Sequence, residues 1–314
     1  LSEHEFNRTS FDKIINEISP NILYASSIFS AAYILPLLTL TKRGNVPLLV
    51  APRGELNDTA LKIKRVKKML YLRFLQLGKK LKDVSFQATS REEKDNIENN
   101  LHVDSKHVFL LPNIPTTPEN KSEIYKKTGA VKLCFVGRIV ENKNLLIALK
   151  ATCRAKTQVS LDIFGAKENE VYWNKCEKII EAAPSNVKIR YKGVLQPYKM
   201  KAVYSKYDFL ISPTAFENYG QAIVEAMLHD VPAIISKGTT PWDDIQMNKA
   251  GFVVPINEVE KFSEVIDIVA KMPQEEYQKL IKNLRIYCAK KFDFEQLRKN
   301  YLEVFAQISK RKGD

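Results

Sequence analysis

The sequence predicts an α/β protein with two domains, each built around a parallel sheet. Short apolar runs alternate with longer helix-like stretches, which is the pattern of β–α units in parallel sheets. The 314 residues, 45% of them hydrophobic, are enough for two separate cores. Three prolines within residues 112–118, followed by a polar stretch to residue 127, interrupt the pattern. We therefore predict a first domain over residues 1–127, a second over 128–291 and a C-terminal helical segment over 292–314.

The individual elements follow from the apolar runs and from helix-start signals. Ser90, with Glu93 three residues later, forms a capping box, so a helix should begin near Arg91. Residues 22–40 are the one candidate membrane span, but serines, Thr39 and Pro36 interrupt them, and we interpret the stretch as a buried strand followed by a core-facing helix. Strands are predicted at 21–25, 47–51, 84–88, 108–111, 132–136, 160–164, 187–191, 209–212, 233–236 and 252–254, and helices at 144–154, 170–183, 199–206, 222–229, 259–271 and 294–308.

Composition limits the classes of partner and compartment. A net charge of +13 attracts nucleic acid, anionic lipid or anionic substrates alike. The four cysteines lack C-x-x-C spacing, which indicates a reducing compartment without a disulfide framework, and the four histidines complete no metal-ligand pattern with them. The sequence shows no signal-peptide pattern. Because the chain begins with Leu1 and only one helical stretch precedes the first strand, we expect an N-terminal part to be missing.

Residues 61–82 are strongly basic. They contain nine lysines and arginines, no acid, and apolar residues between them. One interpretation is a helix lying on an anionic bilayer, to which each basic residue near the surface contributes about 1 kcal/mol. The other is an ordinary surface helix with solvated lysines. A nucleic-acid role is disfavoured because no base-reading or stacking motif accompanies the charge.

Two cations follow the strand predicted at 132–136. Gly137 provides a tight turn, and Arg138 and Lys143 lie five residues apart at the start of the next helix. Open α/β sheets bind ligands beyond the carboxyl ends of their strands. Fixed cations there can stabilise the negative charge that develops on a departing diphosphate without a metal. Taken alone, the pair also fits two ordinary surface residues.

A second cluster follows the strand at 209–212. Glu217 precedes a helix that begins near Gly220 and Gln221, where free backbone N–H groups and the helix dipole favour a phosphate. Glu225 is the only charge in the apolar run 222–228, and a buried carboxylate is costly unless it is paired. Two vicinal ribose hydroxyls would satisfy it. A core arginine or the backbone would do so as well.

These residues resemble those of the family 4, group 1, retaining glycosyltransferases, and the resemblance extends over nearly the whole chain. That family has the GT-B fold, so the resemblance implies two Rossmann-like domains with parallel sheets facing a cleft, the first domain here being incomplete. The most specific part is the Glu217–Glu225 pair with seven residues between, preceded by Gly137-Arg138 and Lys143. The other matching blocks are Pro52-Arg53-Gly54, Pro112-Asn113, Asp162-Ile163-Phe164-Gly165, Tyr191-Lys192-Gly193 and Thr240-Pro241-Trp242, of which the first and last look like members that build bacterial capsules, lipopolysaccharides and exopolysaccharides.

The resemblance assigns roles to single residues. Arg138 and Lys143 would bind the donor diphosphate, Glu217 would contact the donor sugar, and Glu225 would bind the ribose. The remaining donor-site residues would be Gly137, Asn218, Tyr219, Gly220, Gln221 and Gly193, the last near the nucleotide base. The donor would be a UDP- or GDP-sugar used without metal or other cofactor, and the acceptor a glycan or lipid-linked sugar in the cytoplasm, or at the inner face of the cytoplasmic membrane.

Some positions depart from the family pattern. Arg53, a candidate on the acceptor side, stands where many relatives have histidine, and it could equally be a loop residue paired to Glu55 or to backbone. Asn218 stands where glycine is frequent, and His229-Asp230 stand where Ala-Gly or Ser-Gly is common. Three alternatives remain open: a non-catalytic GT-B sugar-nucleotide-binding subunit, a different GT-B chemistry such as epimerisation or phosphorolysis, and a basic nucleic-acid binder.

Overall fold

The computed structural model describes residues 8–42, 46–77, 80–114, 125–196 and 199–310. The chain divides into two compact units, one formed by residues 1–114 with 294–314 and the other by residues 115–293. The division falls between Ile114 and Pro115 rather than after residue 127. Lys126 belongs to the second unit because its buried ammonium donates to the carbonyl oxygen of Ala270 at 3.0 Å.

The first unit is a four-stranded parallel sheet covered by helices. The sheet order is β1-β2-β3-β4, and Leu48 of β2 lies in register with Leu23 of β1 and Val84 of β3. All residues of β2 and β3 are buried, as expected for strands covered on both faces. The elements are α1 (Arg8–Ile18), β1 (Leu23–Ser26), α2 (Ala31–Lys42), β2 (Leu48–Ala51), α3 (Asp58–Lys62), α4 (Arg65–Leu77), β3 (Val84–Ala88), α5 (Arg91–Leu101) and β4 (Val108–Leu110).

The prediction of one continuous helix over residues 61–82 is wrong. α3 ends at Lys62, and α4 begins at Arg65 after Lys64 adopts a left-handed φ of 53°. Lys68 bridges the break, since its ammonium donates to the Ala60 carbonyl oxygen at 2.7 Å. Every residue across the break is compatible with a helix, so the sequence contains no stop signal there.

Two other expectations for the first unit are confirmed. Ser90 caps α5, accepting from the Glu93 N–H at 3.1 Å. Residues 22–40 form β1 and most of α2, as interpreted. Across the described part of the chain, none of the helices combines the length and the apolar character needed to cross a bilayer.

The second unit is a six-stranded parallel sheet in the order β10-β9-β8-β5-β6-β7. All ten predicted strands of the chain are confirmed, with bounds shifted by at most two residues. The elements are β5 (Ala130–Val136), α6 (Leu145–Arg154), β6 (Gln158–Phe164), α7 (Glu170–Glu181), β7 (Val187–Tyr191), α8 (Met200–Tyr204), β8 (Phe209–Ser212), α9 (Gln221–Leu228), β9 (Ala233–Ser236), β10 (Phe252–Val254), α10 (Val259–Lys271) and α11 (Gln274–Lys291).

The last two described helices are α11 and α12. α11 is absent from the sequence-based prediction, although the helical spacing of its buried residues Tyr277, Leu280, Ile281 and Leu284 is visible in the sequence. α12 (Phe294–Lys310) belongs to the first unit. The Tyr301 hydroxyl fixes it there by donating to the carbonyl oxygen of Pro112 at 3.0 Å.

Candidate active site

The predicted donor site lies at the point of the second sheet where the strand order reverses. β5 neighbours β6 on one side and β8 on the other. The loops that leave two such strands diverge, which leaves room for a ligand. The loop after β5 carries Gly137, Arg138 and Lys143, and the loop after β8 carries Glu217 and Gly220.

The turn after β5 is held against the end of β6. The Gly137 N–H donates to the carbonyl oxygen of Phe164 at 2.9 Å, and the Ile139 N–H donates to that of Ala166 at 2.8 Å. A Cβ atom on Gly165 would lie 1.8 Å from the Gly137 carbonyl oxygen. The Gly165 φ of 155° also disfavours any side chain. Only glycine therefore permits this close approach.

Hydrogen bonds join the two loops directly. The carbonyl oxygen of Asn142 accepts from the Ala215 N–H at 2.8 Å and from the Thr214 hydroxyl at 3.0 Å. This contact places Lys143 beside Glu217, and the Lys143 ammonium forms an ion pair with Glu217 Oε1. Each of the two side chains is 18% exposed. The pair is therefore accessible to a ligand but screened less than a surface pair would be.

The loop after β9 holds the other side of the loop after β8, which carries Glu217. The Glu217 N–H donates to the Thr239 carbonyl oxygen at 2.7 Å, and the buried Trp242 indole N–H donates to the carbonyl oxygen of Tyr219. Gly220 then turns the chain into α9 with a φ of 72°. These contacts give Trp242 of the Thr240-Pro241-Trp242 block, and Thr239 before it, a physical role, which is to hold the backbone in front of α9.

Glu225 lies on α9 with only 6% of its surface exposed. Its Oε1 accepts a hydrogen bond from the Gln221 amide at 2.9 Å. Burial raises the pKa of the carboxyl group, and the Gln221 hydrogen bond opposes this shift only in part. The partner in the described structure is a neutral amide, so the carboxylate charge is not neutralised by the core arginine that the sequence had left open.

Arg138 points to a different acid. Its guanidinium contacts Glu168 at 3.1 Å, and the arginine side chain is 61% exposed. The structure thus brings Lys143 to Glu217 and Gln221 to Glu225, whereas Arg138 pairs with the loop after β6.

An aromatic platform adjoins the same turn. The Trp173 and Tyr191 rings lie 5.0 Å apart, and the Lys167 ammonium lies 3.7 Å and 4.4 Å from their centroids. The Tyr191 hydroxyl donates to the Gly165 carbonyl oxygen at 2.8 Å, and the Gly165 N–H donates to that of Gly193 at 2.8 Å. The region predicted to receive the base is therefore bonded to the strand end that supports Gly137.

Metal ligands are not grouped in the part of the chain that the structure describes. No cluster of three or more His, Cys, Asp or Glu side chains there is placed to hold an ion. The four cysteines are free thiols.

Comparison with known sequences decides the family. A sequence model described as glycosyl transferases group 1 matches residues 116–286, more than half of the chain. The chain belongs to the group 1 glycosyltransferases. A curated relative, an uncharacterized 41.2 kDa protein in the cps region of Klebsiella pneumoniae, is 26% identical over 151 residues. That match spans 47% of this chain and 38% of the relative.

Solved structures show that this group 1 glycosyltransferase has the GT-B fold. A glycosyltransferase from Rickettsia africae ESF-5 superimposes with a TM-score of 0.71 at 16% identity, covering 97% of this chain and 81% of that one. Anabaena Alr3699/HepE in complex with UDP and glucose gives 0.72 at 14% identity, with 95% and 82% covered. The lipopolysaccharide outer core galactosyltransferase WaaB gives 0.59 at 15% identity, with 96% and 79% covered.

Arg53, the predicted acceptor-side candidate of this group 1 glycosyltransferase, lies beyond β2 in the first unit. Its guanidinium donates to Asn113 Oδ1 at 2.7 Å and to the Tyr24 hydroxyl at 3.0 Å. Glu55 does not pair with it, because that carboxylate accepts from the Ser27 hydroxyl and from nearby backbone N–H groups. Asn113 of the Pro112-Asn113 block therefore positions Arg53, whose side chain is exposed.

Asp230, which follows α9 where the family pattern predicts glycine, is accommodated by a specific contact. Asp230 adopts a left-handed φ of 61°, a role that glycine fills without strain. The Arg285 guanidinium holds the buried Asp230 carboxylate through bonds of 2.9 and 3.0 Å. Asp230, in a position that favours glycine, is thus held by an ion pair with Arg285 of α11.

Sequence reasoning missed three contributors to the site: Lys167, Glu168 and the carbonyl group of Asn142. Nothing in a single sequence signals Glu168, whose partner Arg138 lies 30 positions earlier, or Lys167, whose ammonium meets the nearby Trp173 ring and the more distant Tyr191 ring. Asn142 lies between Arg138 and Lys143 without a signal of its own, and its contact depends on two loops that meet in space.

Proposed function

We propose that this chain transfers a sugar from a nucleoside-diphosphate sugar to a glycan or lipid-linked acceptor, with retention of anomeric configuration, in the synthesis of a surface polysaccharide. The observation that carries the proposal is the Lys143–Glu217 pair at the switch point of the second sheet, with buried Glu225 on the adjoining helix. Family membership supports the reaction class.

Lys143 would neutralise the donor diphosphate. Its ammonium pairs with Glu217, which lies three residues before the Gly220 cap of α9, and backbone N–H groups at a helix start also favour phosphate. Negative charge builds on the diphosphate as the bond to the sugar breaks, and a fixed cation lowers the energy of that state. Arg138 would add a second charge after exchanging Glu168 for a phosphate oxygen, because guanidinium binds phosphate in a fork.

The two glutamates would recognise the sugars at either end of the diphosphate. Glu225 is buried with an unneutralised carboxylate, which two vicinal ribose hydroxyls would satisfy. Glu217 would accept from hydroxyls of the transferred sugar while Lys143 turns to the phosphate. Gly193 and the adjoining platform would receive the base. We propose that the chemistry needs no metal, since Lys143 and Arg138 provide the positive charge.

What is known of the relatives supports more specific proposals about the sugar donor and about the pathway in which the chain acts. One structural relative was crystallised with UDP and glucose, another is a lipopolysaccharide galactosyltransferase, and the curated relative is encoded in a cps region. We propose a UDP-sugar donor before a GDP-sugar, and a location in the cytoplasm or at the inner face of the cytoplasmic membrane.

A donor screen tests the proposal. The chain is titrated with UDP- and GDP-sugars in EDTA while its melting temperature is followed, since a ligand that binds the folded state raises it. The donor found is then incubated with lipid-linked and glycan acceptors, and the product anomer is assigned by NMR. A shift with transfer and retention supports the proposal. Binding without transfer to any acceptor favours a non-catalytic subunit, and no binding at all contradicts the assignment.

A further inference from the structure

One face of α4 exposes a stripe of large apolar side chains. Val66, Leu70, Phe74 and Leu77 are 75%, 64%, 48% and 86% exposed. Their spacing of four, four and three residues places them on one side of the helix. Ile63, at the break before α4, is 64% exposed as well. Soluble proteins seldom expose contiguous apolar surface of this kind unless it binds something.

The stripe is not the face by which α4 packs in its own unit. Leu72 and Leu75 are 1% and 0% exposed and belong to the core. On the helical wheel they lie roughly opposite the stripe. The rotation of the helix is fixed by Gln76, whose amide donates to the Asn100 carbonyl oxygen at 2.9 Å.

Positive charge surrounds the stripe. The residues between Asp58 and Asp83 include no acid. Lys80 places its ammonium 4.8 Å from the Phe74 ring. The exposed basic residues flanking the stripe are Lys62, Lys64, Arg65, Lys67 and Arg73.

We infer that α4, with the basic turn Lys62–Lys64 before it, lies in the headgroup region of an anionic bilayer, with Val66, Leu70, Phe74 and Leu77 inserted among the acyl chains. An interfacial helix needs an apolar face for insertion and cations for the lipid phosphates, and this surface provides both. A second copy of the chain is the poorer partner, because pairing two stripes would bring two basic clusters together. The inference deepens the proposed membrane location and rests on it.

The contribution of the stripe is tested with vesicles of phosphatidylcholine, with and without phosphatidylglycerol, sedimented with the full chain. The variant Leu70→Ser/Phe74→Ser/Leu77→Ser should lower partitioning onto anionic vesicles at least tenfold. The matched control is Val171→Ser/Ile268→Ser/Leu302→Ser, which removes helical apolar residues that are 68%, 56% and 57% exposed elsewhere. It should bind like the wild type, and circular dichroism confirms that both variants fold.

The role of the charges is tested by Lys62→Gln/Lys64→Gln/Lys67→Gln against Lys175→Gln/Lys178→Gln/Lys188→Gln, since all six lysines are exposed and the net-charge change is equal. Each lysine near the surface accounts for about a fivefold change in binding, so the first set should lose on the order of a hundredfold at low salt. Equal losses in the two sets would show a diffuse charge effect and overturn the inference.

Insertion itself is read from Phe74→Trp with brominated lipids, with Val171→Trp as the control. Quenching of the new tryptophan only at position 74 supports the inference. If the wild type does not bind vesicles, the inference is overturned. It is also overturned if the wild type binds but the tryptophan at position 74 is not quenched and the serine variant binds equally well. Binding is measured without a sugar donor, so an active chain that ignores vesicles contradicts this inference alone, and a vesicle-bound chain that transfers no sugar contradicts only the proposed function.

Discussion

The Lys143 ammonium contacts the Glu217 carboxylate although the two residues lie 74 positions apart in the chain. β5 and β8 are neighbours in the sheet, so the loops that follow them meet, and a cation and an acid from distant segments form one pair. Because this ion pair lies in the proposed donor site, kinetic and binding measurements on variants can test the roles proposed for its residues.

Replacing Lys143 by alanine should lower kcat/KM by about a hundredfold to a thousandfold, because a fixed charge on the departing diphosphate is lost. The fold should persist, since the lysine is part-exposed and outside the core. Lys150→Ala on α6, an exposed lysine, is the control and should retain full activity. A Lys143 variant with wild-type kinetics would remove Lys143 from the donor site.

Replacing Glu225 by glutamine should weaken donor binding roughly tenfold or more, since bonds from hydroxyls to a carboxylate are stronger than those to an amide. Isothermal titration with the identified donor measures this. Glu264→Gln, at an exposed acid on α10, is the matched control. Unchanged affinity in Glu225→Gln would show that the carboxylate is structural.

The same variant should be more stable than the wild type at neutral pH. Burial raises the pKa of Glu225 in the folded state, so the folded chain holds the proton more tightly than the unfolded chain. The contribution of Glu225 to stability is therefore greatest at low pH and is lost as pH rises above the ordinary glutamate range towards the raised pKa. Glutamine does not titrate, so the difference in melting temperature should shrink on acidification; a constant difference contradicts this explanation.

Gly165→Ala should destabilise the second unit by about 3 kcal/mol or more, because the new Cβ would overlap the Gly137 carbonyl oxygen. Gly129→Ala provides a strict control. Gly129 also has a positive φ, 86°, but a Cβ atom there would meet nothing within 4 Å, so the change should cost only about 1–2 kcal/mol. Equal losses in urea unfolding would show that backbone strain, not overlap, dominates at Gly165.

Replacing Arg53 by alanine should raise the acceptor KM and leave the donor KM unchanged. The guanidinium is exposed and is held by Asn113 and Tyr24 in the unit that does not contain the proposed donor residues. Lys106→Ala, an exposed change in the same unit, should alter neither constant. A larger donor KM in the Arg53 variant would contradict an acceptor-side role.

The strands could be predicted because each is a short apolar run, and a buried parallel strand needs little more than that. Features that depend on contacts between residues far apart in the sequence could not be predicted. The break at Lys64 is compensated by Lys68, and the Glu168 partner of Arg138 follows a different strand. α11 differs, because the helical spacing of its apolar residues is visible in the sequence although it was not predicted. The role of Glu225 followed from a lone carboxylate in an apolar run together with the family resemblance, the role of Glu217 was taken from the resemblance, and the chemistry of both is a proposal.

The shared acceptor at Asn142 restricts how this protein can diversify. One carbonyl oxygen receives both Ala215 and Thr214, so neither loop can change length without releasing the other. Under the proposed function, new donor preferences should therefore arise by exchanging side chains on two loops of constant length, while insertions and deletions accumulate elsewhere on the surface.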